Sequence, residues 1–279
     1  MELQTNAADA PVQPIVPLPS LPLDTIVCGD NCEVMRTLPS ESIDLVVTSP
    51  PYDDLRTYGG HDWDFYGVAW NLKRLLKPGG VIVWNVNDET KDGDETGTSF
   101  QQALHFKSIG LRLHDTMIWD KGCFTGVGST TVRYGPSTEF MFVFSKGKPK
   151  AFNPLKDRPS AVPGRDNRAA SVREIDGSVR RQESLGRSIG EHGIRFNVWR
   201  EFPEMSNANR FHPGQMPEAL ARDHILSWSN EGDIVLDPFS GSGTTAKMAK
   251  HNGRRFIGIE VNPEYVEISQ QRLAQGVLF

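Results

Sequence analysis

The sequence predicts an α/β protein built on a doubly wound, mostly parallel sheet. Short apolar runs rich in β-formers alternate with helical segments along most of the chain. Two of these runs end in turns rich in proline or glycine, at the position where open α/β sheets bind ligands. With 279 residues, of which 38% are hydrophobic and 23% charged, the chain has the size and composition to bury a sizeable core.

Bulk features exclude several classes of protein. No apolar run approaches the roughly 20 residues that span a bilayer, and the N-terminus lacks a basic region followed by an apolar core. We therefore expect a cytoplasmic protein with no membrane association. The three cysteines, Cys28, Cys32 and Cys123, cannot all pair, and their spacing fits no zinc site, so no metal is expected.

Charge is distributed unevenly along the chain. The formal net charge is −5, yet residues 146–200 carry 13 Lys and Arg against 6 Asp and Glu. One basic segment on an acidic body predicts a polyanionic partner, although a solvated loop region with no partner would have the same composition.

The N-terminal region predicts an arm and a first βα unit. Five prolines in residues 1–23 favour a flexible, extended arm over a helix. Residues 25–30 read as a short strand that ends at a turn. Asn31 is then expected to cap a short helix that runs to Leu38.

The next strand, residues 43–47, is expected to be buried and to deliver Ser49, Pro50, Pro51 and Tyr52 to its carboxyl end. The two prolines fix φ and supply carbonyls without N–H groups, so Ser49 Oγ and the Pro50 carbonyl form a rigid pair of acceptors beside an aromatic ring. Such a site suits a planar group that carries an NH2. A strand that ends in a proline turn, with Tyr52 packed on it, would read the same way.

The middle of the chain repeats the alternation and then loses it. The aromatic strand is assigned to the core, and the segment from residue 146 to about 200 has no sustained period, which is typical of a functional or disordered insert. The expected elements are a loop at 53–60, helices at 65–76 and 100–109, strands at 80–86, 113–119 and 140–144, and a helix at 218–228.

A strand, a glycine turn and a helix follow from Ile234 to Asn252. Glycines after a strand let the backbone approach a ligand closely, and a helix N-terminus offers free N–H groups. The turn is not a phosphate-cradling loop, because Lys247 lies four residues beyond Gly243. The next strand ends at Glu260, where a Rossmann-like unit holds a ribose, although a solvated turn residue would also fit there.

The stretch from Thr48 to Tyr52 resembles the catalytic (D/N/S)PP(Y/F) motif of DNA amino-methyltransferases, and residues 237–243 resemble their S-adenosylmethionine motif. The catalytic motif comes first, so the resemblance is to the β class, with a Rossmann-like methyltransferase sheet in circularly permuted motif order. It covers residues 24–145 and 205–275. The implied organisation is a flexible proline-rich arm at 1–23, a catalytic half at 24–145, an irregular DNA target-recognition insert at 146–204 and a cofactor-binding half at 205–279.

The resemblance implies methyl transfer from S-adenosylmethionine to the exocyclic amino group of a base flipped out of double-stranded DNA. The implied catalytic residues are Ser49, Pro50, Pro51 and Tyr52, with the ring of Tyr52 stacking on the base. Attack at carbon 5 of cytosine is excluded, because that chemistry needs an activated thiolate.

The resemblance also implies a set of cofactor contacts. Asp30 lies near the adenine, Glu260 at the ribose and the glycine turn at the methionine portion. His212 belongs to a His-Pro element near the methionine end, where Met216 replaces the family's usual lysine and a packing role for His212 stays open. The implied cofactor-binding residues are Asp30, His212, Asp237, Phe239, Ser240, Gly241, Gly243, Thr244 and Glu260.

The basic segment is the predicted DNA-reading region, because a sheet that holds the cofactor and one flipped base cannot read neighbouring pairs. Its arginines are expected to divide between phosphate contacts and bidentate contacts to guanine. The candidates are Arg165, Arg168, Arg173, Arg180, Arg181 and Arg187.

Several alternatives stay open. Residues 53–58 resemble stand-alone adenine methyltransferases, which favours adenine N6, whereas Ser49 is commoner at its position in cytosine N4 enzymes. A methyltransferase of RNA or of a protein amide, and a non-catalytic DNA-binding module, are further alternatives. No nuclease signature is present, so a solitary methyltransferase fits as well as a member of a restriction-modification pair. The β class often forms dimers, which leaves a homodimer open.

Overall fold

A computed structural model of the chain describes residues 20–53, 63–122, 132–165, 171–181, 188–200 and 214–275. The strands in these ranges are β1 (Thr25–Cys28), β2 (Ile43–Thr48), β3 (Leu76–Val86), β4 (Thr90–Lys91), β5 (Asp94–Glu95), β6 (Arg112–Asp120), β7 (Thr138–Ser145), β8 (Arg158–Pro159), β9 (Ser171–Arg173), β10 (Val179–Arg181), β11 (His192–Gly193), β12 (Val198–Arg200), β13 (Ile234–Asp237) and β14 (Arg255–Glu260). The helices are α1 (Asn31–Thr37), α2 (Phe65–Leu75), α3 (Thr98–Ser108), α4 (Glu218–Trp228), α5 (Thr244–His251) and α6 (Pro263–Ala274).

Eight strands form one central sheet in the order β1-β14-β13-β2-β3-β7-β6-β12. Neighbouring strands pair in parallel except at β7, which runs antiparallel to both β3 and β6. All strands of the sheet except β7 therefore end at the same edge, called the carboxyl edge here. Because β7 runs the other way, its first residues also lie at the carboxyl edge.

The sheet is covered on both faces, which confirms the predicted doubly wound α/β fold. Alternation along β3 divides its side chains between two apolar cores: Val81 and Val83 face one, and Ile82 and Trp84 face the other. Helices α4, α5 and α6 close the first core, and helices α1, α2 and α3 close the second. Near-continuous burial of β2 is what two covered faces require.

The start of α1 corrects one prediction. Asp30, rather than Asn31, caps this helix, with extended backbone angles and a carboxylate that accepts from the Glu33 N–H at 2.9 Å. Asn31 is already helical, and its side-chain amide donates to the Pro238 carbonyl at 3.4 Å. A tertiary contact therefore uses the side chain that the sequence suggested as the cap.

The basic segment is built from short pairs of strands. β8 pairs with β11 and β9 pairs with β10, both antiparallel. Its last strand, β12, pairs in parallel with β6 and so extends the central sheet. Between residues 146 and 200, three residues thus belong to the sheet that carries the predicted site.

Some predictions fall outside the described residues: residues 1–19 of the arm, most of the loop at 53–60, Cys123, His212, Arg168 and Arg187. In the part of the chain that is described, no helix is long and apolar enough to cross a membrane.

Candidate active site

The two predicted motifs meet at the middle of the carboxyl edge. Asp237 ends β13, Ser49 follows β2, Asn85 lies near the end of β3, and Glu139 lies at the start of β7. These four strands are consecutive in the sheet. The edge therefore carries the glycine turn on one side, the proline motif in the centre and a polar cluster on the other side.

The proline motif holds its polar atoms at the surface of the core. Pro50 is buried, and Ser49, Pro51 and Tyr52 are half-buried. Ser49 Oγ lies 2.8 Å from the Tyr52 hydroxyl. All four predicted catalytic residues thus lie together at the end of β2.

A network behind Tyr52 connects this motif to three residues that sequence reasoning missed. The Tyr52 hydroxyl donates to Glu139 Oε2 at 2.9 Å, and Asn85 Nδ2 donates to the Tyr52 oxygen at 3.0 Å and to Glu139 Oε2 at 2.8 Å. Glu139 Oε1 pairs with Lys121 Nζ at 2.5 Å. Asn85 had a readable signal, because it is a polar residue inside an otherwise apolar strand. Glu139 had a weaker one, as a charge directly before an aromatic run.

Asp237 links the two motifs. Its Oδ1 accepts from Thr48 Oγ1 at 2.6 Å and from the Phe239 N–H at 3.1 Å. Burial raises the pKa of this carboxyl to about 6; the nearby charge of Glu260 acts in the same direction, and the hydrogen bonds from Thr48, Phe239 and Thr245 oppose it. The buried carboxyl is therefore mainly a junction between β13 and β2.

This junction predicts a pH dependence of stability. The pKa of Asp237 rises from 3.8 to about 6 on folding, so the folded protein holds this proton more tightly than the unfolded chain. The protein should lose stability through this group as pH rises from about 4 to about 6, by about 3 kcal/mol at 1.36 kcal/mol per pKa unit. Asp237→Asn cannot ionise, so the free energy of unfolding of the native protein should fall relative to that of the variant across this range.

Chemical denaturation of both proteins at several pH values measures the difference. Parallel curves between pH 4 and 6 would contradict the assignment. Asp233→Asn is the matched control, because Asp233 is a less buried carboxylate at the opposite end of the same strand region.

The glycine turn is held from the side of β14. Gly241, at φ 50°, donates its N–H to Glu260 Oε2 at 2.8 Å. The other carboxylate oxygen, Oε1, accepts from the Asn262 N–H at 2.9 Å. Glu260 thus ties the turn to the end of its strand, and it stays half-buried at the carboxyl edge.

Helix α6 braces the same turn from behind. Gly243 has φ 77°, and a Cβ there would lie 2.9 Å from Ser269 Cβ. Arg272 donates to Ser242 Oγ at 2.9 Å and to Glu218 Oε1 at 2.7 Å. Glycine at 243 is therefore required by the packing of α6, in addition to the ligand approach that the sequence suggested.

The other predicted cofactor residues lie around this turn. Phe239 packs edge-to-face on Trp63, with ring centroids 4.9 Å apart, and Ser240 Oγ is buried without a hydrogen-bond partner among the described residues. Thr244 opens α5 and is buried. Asp30 follows Gly29, whose N–H donates to the Glu260 carbonyl at 3.0 Å, so the helix cap and the acid of β14 lie side by side.

The predicted DNA-binding arginines lie away from this cluster. Arg165, Arg173 and Arg180 are exposed, the last two on the hairpin formed by β9 and β10. Arg180 Nε pairs with Glu174 Oε1 at 2.7 Å. Arg181 pairs with Ser171 in the same hairpin. In the described ranges, no group of three or more His, Cys, Asp or Glu residues could hold a metal ion.

Comparison with known proteins gives a consistent result. A family model described as DNA methylase matches residues 43–271. The orphan methyltransferase M.BamHII of Bacillus amyloliquefaciens is 48% identical over 243 residues, which cover 85% of this chain and 91% of the relative. The DNA adenine methyltransferase YhdJ of Escherichia coli (strain K12) is 30% identical, with 89% of this chain and 82% of the relative covered.

Solved structures share the architecture. A PvuII DNA methyltransferase described as cytosine-N4-specific superposes with a TM-score of 0.64 over 91% of this chain and 87% of its own; at 22% identity it supports the fold alone. TTHA0409 of Thermus thermophilus, a DNA modification methylase complexed with S-adenosyl-L-methionine, superposes with a TM-score of 0.59 at 26% identity, over 88% of this chain and 93% of its own.

Proposed function

The chain belongs to the DNA methylase family whose model matches residues 43–271, and on that premise we propose that it methylates adenine N6 in a specific double-stranded DNA sequence, with S-adenosylmethionine as the donor. The observation that carries the proposal is the meeting of the two motifs at one edge. Ser49 and Tyr52 lie beside the end of β2, and the Thr48–Asp237 hydrogen bond joins them to the glycine turn.

The residues of the turn fit this cofactor. Glu260 offers carboxylate oxygens at the end of β14, which suits the vicinal hydroxyls of a ribose. Phe239 to Thr244 would hold the methionine portion, and Asp30 would lie on the adenine side. When bound, S-adenosylmethionine supplies an electrophilic methyl group on a positively charged sulfur. Acids such as Asp237 and Glu260 close to the turn are compatible with that positive charge.

The proline motif would prepare the amino group. The nitrogen of an aromatic amine is a poor nucleophile, because its lone pair is delocalised into the ring. If Ser49 Oγ and the Pro50 carbonyl accept its two N–H groups, the nitrogen becomes more pyramidal and its lone pair points out of the ring plane. The ring of Tyr52 would stack on the flipped base. Each part of this arrangement comes from the rigid end of one buried strand.

Adenine is favoured by the relative YhdJ, which is named as a DNA adenine methyltransferase. Cytosine N4 is the second candidate, favoured by the serine at the first position of the motif. Nucleoside mass spectrometry of plasmid DNA treated with the protein separates them. N6-methyladenine supports the proposal, N4-methylcytosine selects the second candidate, and no methylated nucleoside in DNA, with product in a parallel RNA reaction, would overturn both.

The basic segment is proposed to read the DNA, and its geometry allows a clean deletion. The Ile189 N–H donates to the Arg165 carbonyl at 2.8 Å, so the two ends of residues 166–188 lie side by side. Replacing these residues with two glycines removes the β9–β10 hairpin and leaves the main sheet intact. We expect unchanged S-adenosylmethionine affinity by calorimetry and loss of site-specific methylation.

A point variant tests the same proposal on a finer scale. Arg180→Ala should lower DNA affinity and, if the contact is to phosphate, reduce the salt slope by about one unit. Arg36→Ala removes an exposed arginine from α1 and is the matched control. Site-specific methylation by the deletion variant would show that the DNA is read elsewhere.

A further inference from the structure

The polar cluster behind Tyr52 has a direction, and from it we propose that Glu139 is a positioning residue and the final proton acceptor for the methylation site. It would act through Tyr52 and Ser49, without touching the base. This inference rests on the proposed function, because it assigns a role at the same site. Its basis is the chain of contacts from Ser49 to Tyr52 to Glu139.

The hydrogen atoms in this chain are placed by counting donors. Glu139 is paired with the Lys121 ammonium and can only accept, so the single hydroxyl hydrogen of Tyr52 points to Glu139 Oε2. Asn85 Nδ2 donates to the Tyr52 oxygen from another side. The contact between Ser49 and Tyr52 must then be formed by the Ser49 hydroxyl as donor.

The orientation of Asn85 follows from the same electrostatics. Its Nδ2 faces both the Tyr52 oxygen and Glu139 Oε2. The flipped amide would place Oδ1 against the carboxylate, which is repulsive. The buried side chain of Asn85 is therefore held as a donor, and it keeps the Tyr52 hydrogen directed at Glu139.

This direction matters for the nitrogen of the base. A serine hydroxyl free to rotate could donate to the nitrogen lone pair and so reduce its nucleophilicity. With its hydrogen committed to Tyr52, Ser49 Oγ presents only lone pairs to an incoming N–H. The network thus makes Ser49 an obligatory acceptor.

The same chain also offers a path for the proton that the reaction releases. As the nitrogen lone pair forms the bond to the methyl carbon, the carbon–sulfur bond breaks and its electron pair stays on sulfur. The nitrogen, now positive, must lose one N–H proton and keep that bond's electron pair. The proton passes to Ser49 Oγ, the Ser49 proton to Tyr52, and the Tyr52 proton to Glu139 Oε2. The carboxyl becomes neutral and returns its proton to water between turnovers.

The test uses Glu139→Gln, Tyr52→Phe and the double variant in the full-length protein. Single-turnover methylation at saturating DNA and cofactor should fall on the order of 10²-fold in each single variant. The double variant should fall no further, because both changes break one chain. Glu41→Gln is the matched control, since it removes a carboxylate from an exposed pair with Lys146 at the opposite edge of the sheet.

A second readout needs no activity. With ¹³Cζ-labelled tyrosine, the Tyr52 resonance is identified by its loss in Tyr52→Phe. It should shift in Glu139→Gln and stay in place in Glu41→Gln. Calorimetric cofactor affinity and thermal unfolding confirm that each variant is folded.

The outcomes separate this inference from the proposed function. An unmoved Tyr52 resonance in Glu139→Gln overturns the hydrogen-bond chain, whatever the activity. A shifted resonance with a native single-turnover rate, or losses that multiply in the double variant, overturns the role of Glu139 and leaves the methyltransferase assignment intact. A native protein that methylates no DNA overturns the proposed function, and with it the role of Glu139.

Discussion

Replacing Tyr52 with alanine is expected to slow methylation more than any other single change at the site. The variant loses a ring whose stacking on a base contributes about 1–3 kcal/mol, and it loses the hydroxyl that accepts from Ser49 and Asn85. We expect the single-turnover rate to fall by more than about 10²-fold. Cofactor affinity should change little, because Asp237 and the glycine turn hold their own hydrogen bonds on the other side of β2.

The series Tyr52→Phe and Tyr52→Ala divides the loss between hydroxyl and ring. Phenylalanine keeps the stacking surface, so any further loss in alanine measures the ring. Fluorescence of 2-aminopurine at the target position reports on base flipping in both variants. A native rate in Tyr52→Ala would show that this side chain is only a packing residue at the end of its strand.

The largest effect on stability is expected from Gly243→Val. Valine there must adopt a left-handed backbone at φ 77° and place its Cβ 2.9 Å from Ser269 Cβ. The backbone strain costs about 1–2 kcal/mol, and overpacking of this kind about 1–3 kcal/mol. We expect a lower free energy of unfolding and weaker cofactor binding together, because the turn cannot keep its place against α6.

Gly93→Val is the matched control for this variant. Gly93 also has a left-handed backbone, at φ 86°, but a Cβ there would meet no atom within 4 Å. It carries the strain without the contact, so the difference between the two variants measures the packing against Ser269. Equal losses in denaturant titrations would show that α6 yields, and that the shape of the turn does not depend on it.

Most of the fold could be predicted because its signals are local. The apolar runs of β2 and β13, the glycine turn and the acid at the end of β14 are each contiguous in the chain. Parallel strands then bring such segments to one edge without any further information. The glycine turn and the proline motif were therefore both foreseeable and correctly associated with one edge of the sheet.

What the sequence did not predict depends on contacts between distant segments. Glu139 reaches the site only because β7 runs antiparallel and so presents its first residues at the carboxyl edge. β12 escaped notice because three residues in a polar stretch carry no period. Asn31 was misassigned as a helix cap because Pro238, more than two hundred positions away, supplies the acceptor for its amide.

The pairing of β1 with β14 has a consequence for synthesis on the ribosome. Thr25 lies opposite Ile257, so the strand that is made first finds its partner only near the end of translation. Before then, β2, β3, β6 and β7 are complete and can associate, whereas the edge of β2 that β13 later covers is still open. An open edge beside buried apolar residues is a site for pairing with other chains. Nascent or prematurely terminated chains are therefore expected to depend on chaperones until β13 and β14 emerge.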